Sequence, residues 1–357
     1  MDRFGTVVIG GGQAGLVMGY YLRRLSESFV ILEADARIGD SWRRRYDALR
    51  LFSRPRYASL PGLRIPVKDC PTRDEMADYL ERYAAHFELP VQTGVQVTRV
   101  SRDAQGFLVD TDSGEYFADR VVVASGWHVV PQRPAFAAEL DPAIRQLHSL
   151  EYRNPEQFAD GEVLVVGAAN SGTDIALEAV KTHPTRLAGR HPGQVPVDID
   201  TRVGHLTTPL VMFAFKHVLT RRTPMGRKVM ASMRGHGVNL VRNKIEQVEA
   251  AGVVRHGRIE SVRDGYPVTA DGEVLSDVRT VVWCTGSGPD HSWLDLPDGP
   301  HTRGISDDDP RLMYLGAEFQ FAVASATIQG LDRDARYLIR HLRDRRNAAV
   351  PAGVTRP

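Results

Sequence analysis

The chain of 357 residues has only two cysteines, Cys70 and Cys284, far apart and without a C-x-x-C pair. That excludes a disulfide-stapled fold and a redox-active dithiol. Cys284 falls in an apolar run and reads as a small core residue. The histidines show no H-x-x-x-H or comparable spacing, so no metal site is expected. An excess of one charge is missing too. Lys and Arg total 45 against 44 Asp and Glu, which removes any overall pull toward nucleic acid or an anionic membrane. No uninterrupted apolar run reaches the ~18 residues that would mark a transmembrane helix. A glycine turn begins at Gly10 and leaves no room for a signal peptide ahead of it, so a cytoplasmic protein is expected. The length predicts roughly two domains.

What the chain does have, it has twice. Val7-Val8-Ile9-Gly10-Gly11-Gly12-Gln13-Ala14-Gly15 opens the first half, and Val163-Leu164-Val165-Val166-Gly167-Ala168-Ala169-Asn170-Ser171-Gly172 opens the second. Each is an apolar run that breaks into a glycine turn and continues with helical spacing, the start of a dinucleotide-binding βαβ unit. Gly10 and Gly167 would make the tight turn. Gly12 would let backbone approach a pyrophosphate, and Gly15 and Gly172 would let helix pack on strand. Gln13-Ala14 and Asn170-Ser171 then begin helices whose free N–H groups face the phosphates. Ala169 replaces the middle glycine in the second copy, with its methyl where a pyrophosphate would pass.

The repeat extends past the turns. Glu33, at the tip of the next apolar run, lies twenty-three positions after Gly10, and Arg190 lies twenty-three positions after Gly167. Val121-Val122-Val123-Ala124-Ser125-Gly126 matches Val281-Val282-Trp283-Cys284-Thr285-Gly286. A carboxylate at the strand tip accepts hydrogen bonds from ribose hydroxyls and repels a 2′-phosphate. Glu33 therefore suits the adenosine half of FAD. Arg190, with His191 beside it, suits the 2′-phosphate of NADPH; the alternative is a solvated arginine beyond a strand. The expected fold is α/β, two Rossmann-like dinucleotide-binding domains in a glutathione-reductase-like arrangement.

Between these markers, helical spacing runs from Arg73 to Phe87 with Thr72 as N-cap. Strands are predicted at Val95 to Val100, Phe107 to Thr111 and Arg120 to Ser125, with Asp112-Ser113-Gly114 as a hairpin turn. Residues 127–160 read as a proline-rich connection. A segment at 198–237 mixes apolar and basic residues and reads as a helical lid or partner-packing face, or as an amphipathic membrane-surface element. A late strand at 311–316 returns to the first sheet, and a helix follows at about 332–345. The expected division is an FAD-binding domain from 1–155 and 287–357, and an NADPH-binding domain from 156–286.

The motifs together resemble the flavin-containing, NADPH-dependent monooxygenases, in particular their short bacterial members and, more distantly, the YUCCA-type enzymes. The resemblance rests on G-G-G-Q-A-G at 10–15, G-D-S-W-x-x-R-Y-D-x-L-R-L-F-S at 39–53 and G-x-x-N-S-G at 167–172. It also rests on Cys284-Thr285-Gly286, similar to an A-T-G segment. The family's F-x-G-x-x-x-H-x-x-x-Y/F signature is half present: His148 and Tyr152 match, while Pro142 and Ile144 stand where Phe and Gly belong. His148 is either part of that signature or an ordinary polar linker residue. The resemblance implies hydride transfer from NADPH to FAD. The reduced flavin would then activate O₂ as a C4a-(hydro)peroxyflavin, which oxygenates a small organic substrate at N, S or a carbonyl. It implies that Trp42 covers part of the FAD, Val97 contacts its adenine, and Gly126, Gly316, Thr285 and Gly286 line cofactor. Ser53 would be the hydroxyl nearest the reacting edge, or else a turn-initiating serine. Two other activities share these motifs: an NADPH-dependent reductase serving a quinone or protein acceptor, and a non-catalytic FAD-binding accessory protein. Substrate identity and oligomeric state, including a homo-oligomer, stay open at this stage.

Overall fold

The computed structural model describes residues 2–195, 202–233, 239–296, 299 and 301–348. Two sheets carry it, and each is built on one copy of the repeat. In the first, Asp2–Ile9 lies between Phe29–Glu33 and Gly114–Val123, parallel to both, with Val7 opposite Val30 and Val121. In the second, Glu162–Val166 lies between Thr185–Ala188 and Val278–Trp283, again parallel, with Val165 opposite Leu187 and Val282. Continuous apolar runs make these central strands because both faces of a parallel sheet are covered. Val7, Val8, Val121, Val122, Val163, Val165 and Val281 are fully buried.

The outer strands show how the two copies depend on each other. Val91–Thr93 extends the first sheet beyond Phe29–Glu33, and Val254–His256 extends the second beyond Thr185–Ala188. On the other side each sheet takes its fifth parallel strand from outside its own copy. Leu312–Tyr314 returns to pair with Gly114–Val123, as the late apolar run predicts. Arg145–His148 pairs with Val278–Trp283, so part of the 127–160 connection is a strand of the second sheet.

Local signals hold well. Arg73–His86 is helical behind a capping box in which Thr72 accepts from the Glu75 N–H and the Glu75 carboxylate accepts from the Thr72 N–H. The hairpin pairs Phe107–Thr111 with Gly114–Val123, which starts six residues earlier than its apolar core implies. The C-terminal helix Ile328–Ala348 is longer than its apolar spacing alone predicts. The ends of the 198–237 insert lie outside the described residues. The rest is helical at Arg202–Phe213 and Pro224–Met233, and it packs on the first unit. The Arg221 N–H donates to the Phe321 carbonyl at 2.9 Å, and the Val323 N–H donates to the Leu219 carbonyl at 3.1 Å. Among the described residues no helix is long and apolar enough to cross a membrane.

Each turn brings its helix close to its strand. A Cβ at Gly15 would lie 1.9 Å from the Gly10 carbonyl oxygen, and one at Gly172 would lie 1.7 Å from that of Gly167. Gly172→Ala is therefore expected to destabilise the second unit by at least about 1–3 kcal/mol, the scale of overpacking. Urea unfolding followed by tryptophan fluorescence checks it; an unchanged midpoint would mean the turn has slack.

Candidate functional site

Both glycine turns sit at the C-terminal ends of parallel strands, where open α/β sheets bind ligands. Gly10 has φ +106° and Gly167 φ +112°, a region that favours glycine. Their Cα atoms press on the neighbouring strand end: a Cβ at Gly10 would lie 2.5 Å from the Ala124 oxygen, and one at Gly167 would lie 2.2 Å from the Cys284 oxygen. The helices that follow, Gln13–Arg24 and Asn170–Ala179, begin at Gly12 and Ala169 without any side-chain cap. Their first N–H groups stay available to an anion. A Cβ at Gly12 would meet nothing within 4 Å, so space lies open above the first turn. The Ser125 hydroxyl, at the end of the neighbouring strand, is buried without a hydrogen-bond partner. An uncapped helix, an open cradle and an orphaned buried hydroxyl together fit a phosphate-bearing cofactor over Gly10–Gly15.

Glu33 belongs to this assembly. Its Oε2 accepts from the Gly11 N–H at 2.6 Å and its Oε1 from the Asp35 N–H at 2.9 Å, which leaves further lone pairs free for ribose hydroxyls. Burial raises its pKa above the usual carboxylate value, and the two N–H groups oppose that shift. The motif reading passed over Gly11. A Cβ there would lie 2.9 Å from the Glu33 Cβ, so the middle residue of Gly10-Gly11-Gly12 must be glycine for Glu33 to reach the turn. The triple-glycine run was the available signal. The Val95 N–H donates to the Glu33 carbonyl at 2.9 Å, bringing the strand that carries buried Val97 alongside.

The 39–53 loop closes over the same turn. Trp42 Nε1 donates to Gln13 Oε1 at 3.1 Å, which joins two of the expected cofactor residues. Gly316 brings its backbone to the other flank: φ is +93°, and a Cβ there would lie 3.4 Å from that of Ala14. Ser53 is partly buried, one residue ahead of Arg54, the N-cap of the short helix Pro55–Ala58. From the same loop Tyr46 reaches the second unit, where its hydroxyl donates to Asp174 Oδ2 at 2.8 Å and Arg242 holds Asp174 Oδ1 at 2.8 Å. This link between units was not read from the sequence. Its trace is the Arg45-Tyr46-Asp47 motif alone.

At the second turn, Arg190 is exposed and has no partner among the described residues. His191 is also exposed and accepts the Gly193 N–H at 2.9 Å through Nδ1. Asn170 is engaged from both sides with 239–241, donating to the Asn239 carbonyl at 3.2 Å and accepting from the Val241 N–H at 3.1 Å. Ser171 lies partly buried in the first helical turn. Gly126 and Gly286 occupy matching left-handed positions, φ +96° and +92°. Thr285 donates to the Gln132 carbonyl, and the Gly286 carbonyl accepts from the Gln132 N–H at 3.1 Å. Thr285 and Gly286 thus fasten the crossing between units, where Val130–Pro131 pairs with Ser287–Gly288.

His148 completes that fastening. It is fully buried; Nε2 donates to the Gly286 carbonyl at 2.9 Å and Nδ1 accepts from the Leu150 N–H at 3.2 Å. Those partners require the neutral Nε2–H tautomer, and burial lowers its pKa. Burial of Cys284 pushes its thiol pKa up, against thiolate chemistry. Neither Cys70 nor Cys284 forms a disulfide, and no metal-binding cluster occurs among the described residues.

With this geometry the chain belongs to the pyridine nucleotide-disulphide oxidoreductase family, whose model matches residues 7–204. It is a flavin-dependent oxidoreductase, and its relatives place it beside the flavoprotein monooxygenases. It is 35% identical to an uncharacterized CzcO-like oxidoreductase of Geobacillus kaustophilus, over 94% of this chain and 97% of that protein. An indole-3-pyruvate monooxygenase, YUCCA1 of Oryza sativa subsp. japonica, is 34% identical over 49% of this chain and 44% of that one. The solved flavin-containing monooxygenase of Stenotrophomonas maltophilia superposes with a TM-score of 0.79 at 28% identity, covering 97% of this chain and 99% of the other.

The His148 geometry sets a pH dependence. A histidine with a lowered folded pKa contributes stability in full above its unfolded value, about 6.5, and loses it as pH falls toward the folded pKa. Thermal unfolding is expected to become acid-sensitive below about pH 6.5, with a smaller slope in His148→Gln. Identical slopes in the two proteins would place the titration elsewhere.

Proposed function

We propose that this oxidoreductase is an FAD- and NADPH-dependent monooxygenase acting on a small organic molecule with O₂. The observation that carries the reading is the pairing of two uncapped helix starts, at Gly12 and Ala169, with an acid, Glu33, at the end of one neighbouring strand and a cation, Arg190, two residues beyond the end of the other. Glu33 suits an unphosphorylated ribose, and exposed Arg190 suits a 2′-phosphate. The names of the YUCCA and Stenotrophomonas relatives support the monooxygenase assignment.

In this reading residues 1–155 and 287–357 form the FAD-binding part, except for Arg145–His148, a strand of the second sheet, and 156–286 form the NADPH-binding part. Gly10, Gly12 and Gly15 give the FAD pyrophosphate close backbone, and Ser125 supplies a hydroxyl beside it. Glu33 holds the ribose, Val97 borders the adenine, and Gln13 and Trp42 close over the turn. Gly126 and Gly316 bring backbone near the flavin, and Ser53 stands at its reacting edge. Gly167, Asn170, Ser171 and Gly172 shape the second turn, with Arg190 and His191 at the phosphate and Thr285 and Gly286 bordering the cleft. Bound flavin would supply hydride acceptance and dioxygen activation; the protein excludes water and orients the substrate.

Turnover of amine, sulfide and ketone panels under isotopically labelled dioxygen tests the assignment. The expected result is about one labelled oxygen in product per NADPH consumed. NADPH consumption that yields only hydrogen peroxide, or none at all, would contradict it. Two substitutions test the cofactor assignments. Glu33→Ala is expected to weaken FAD retention by about 1–3 kcal/mol, the scale of a charged hydrogen bond, measured by equilibrium dialysis of released flavin. Arg190→Ala is expected to lower kcat/KM for NADPH roughly ten- to hundredfold while NADH hardly changes. The loss should shrink at high salt, because Arg190 is exposed. Equal losses for both nucleotides would make Arg190 structural.

A further inference from the structure

Three consecutive arginines end the Asp40–Arg43 turn, and their surroundings differ. Arg43 binds Asp40 at 3.1 Å, Asp78 at 2.7 Å and Glu81 at 3.1 Å. Arg44 binds both oxygens of Asp35, at 2.6 and 2.8 Å. Arg45 has no carboxylate partner among the described residues. Its guanidinium donates one long bond, 3.4 Å, to the His128 carbonyl, and its side chain is partly buried. Acids of the neighbouring segments are already engaged: Asp47 holds Arg73 at 2.7 Å and accepts from Asn154 at 2.8 Å, and Glu151 holds Arg133 at 2.5 Å.

The position is as informative as the missing partner. The Arg45 carbonyl is anchored by Arg73, and the next side chain, Tyr46, reaches Asp174 on the second unit's helix. His128 lies on the crossing between units, with Nδ1 3.2 Å from the Ser287 hydroxyl, just past Gly286. Arg45 therefore projects from the loop that covers the first turn toward the crossing that borders the second. Burial, Arg153 and Arg44 all push its pKa below the usual guanidinium range, while the ionisable hydroxyl of Tyr46 opposes them. It nevertheless stays a cation at any working pH. A cation withdrawn from water without a counter-charge is costly to keep. Such a group is a loss to the free protein unless an anion arrives.

We propose that Arg45 is an oxyanion-binding residue at the junction of the two units, taking a phosphate oxygen of the second dinucleotide or the carboxylate of an acidic organic substrate. The choice of these two anions rests on the monooxygenase reading, whereas the seat itself does not.

The flavin-loaded protein, its Arg45→Met variant and a milder Arg45→Gln variant are compared by thermal shift and by calorimetric titration. The probes are sodium pyrophosphate, NADP⁺ and phenylpyruvate. Without probe, the variants are expected to melt at or above the wild type, since an unpaired cation has been removed. For the anion the seat takes, affinity should fall roughly ten- to hundredfold, the scale of a lost charge-assisted bond, and the rise in Tm it causes should disappear. Parallel losses for pyrophosphate and NADP⁺ assign the dinucleotide; a loss for phenylpyruvate alone assigns the substrate carboxylate. Unchanged affinity for all three probes would overturn the proposal, whatever the melting temperatures. Should Arg45→Met not fold, Arg45→Gln carries the same comparison. Binding is read without turnover, so failure of oxygenation and failure of the seat are separate results.

Discussion

A helix can start this close to the end of its strand only if two glycines face each other. At the first turn, position 15 lies against the Gly10 carbonyl, and at the second, position 172 lies against the Gly167 carbonyl, with no room for a methyl in either place. That contact aims the helix N-terminus back over the strand ends. It also draws Gly11 against Glu33, so that backbone N–H groups, an acid and an open cradle meet at one point. A preorganised arrangement of this kind needs no capping side chain. A serine or aspartate at Gly12 would fill the N-cap role and compete with a bound phosphate for the same N–H groups.

The two copies cannot be separated cleanly. Each sheet takes its fifth parallel strand from chain beyond its own repeat, Leu312–Tyr314 in the first and Arg145–His148 in the second. The polypeptide must therefore cross between units more than once, and the crossings run side by side where Val130–Pro131 pairs with Ser287–Gly288. His148 ends the borrowed strand and holds the Gly286 carbonyl, so the second sheet's edge and the crossing are fixed by one buried ring. Tyr46 and Asp174 add a second tie from the covering loop. These contacts, with the Asp47 N–H donating to the Arg153 carbonyl at 2.8 Å, help to fix the spacing of the two turns.

The glycine turns and the returning late strand could be read from residues alone, because each depends on local geometry or on a repeated spacing. The spacing misplaces Arg190 by one residue, since the Gly167 N–H donates to the Ala188 carbonyl as that of Gly10 donates to the Leu32 carbonyl, which makes Gly189 the counterpart of Glu33. What could not be read depends on partners distant in sequence. Arg145–His148 is a four-residue edge strand with little apolar content, and its pairing with Val278–Trp283 leaves no periodic trace. His148 could be taken for a signature residue or a linker residue. The structure makes it a buried fastener, since both ring nitrogens find backbone partners. Asn170 could be read as the first residue of the helix behind the second turn, but its side chain's hold on 239–241, a contact sixty-nine or more positions away, could not. Arg45 looked like its two neighbours until the acids were seen to be distributed among the others.

The central claim is that one chain holds two different dinucleotides at once, one over each glycine turn. Calorimetric titration of flavin-loaded protein with NADP⁺, together with chromatography of the flavin released on denaturation, tests it directly. The account predicts one FAD per chain, no FMN, and one NADP⁺ bound without displacing the flavin. Finding FMN, or NADP⁺ competing with FAD for a single site, would contradict it.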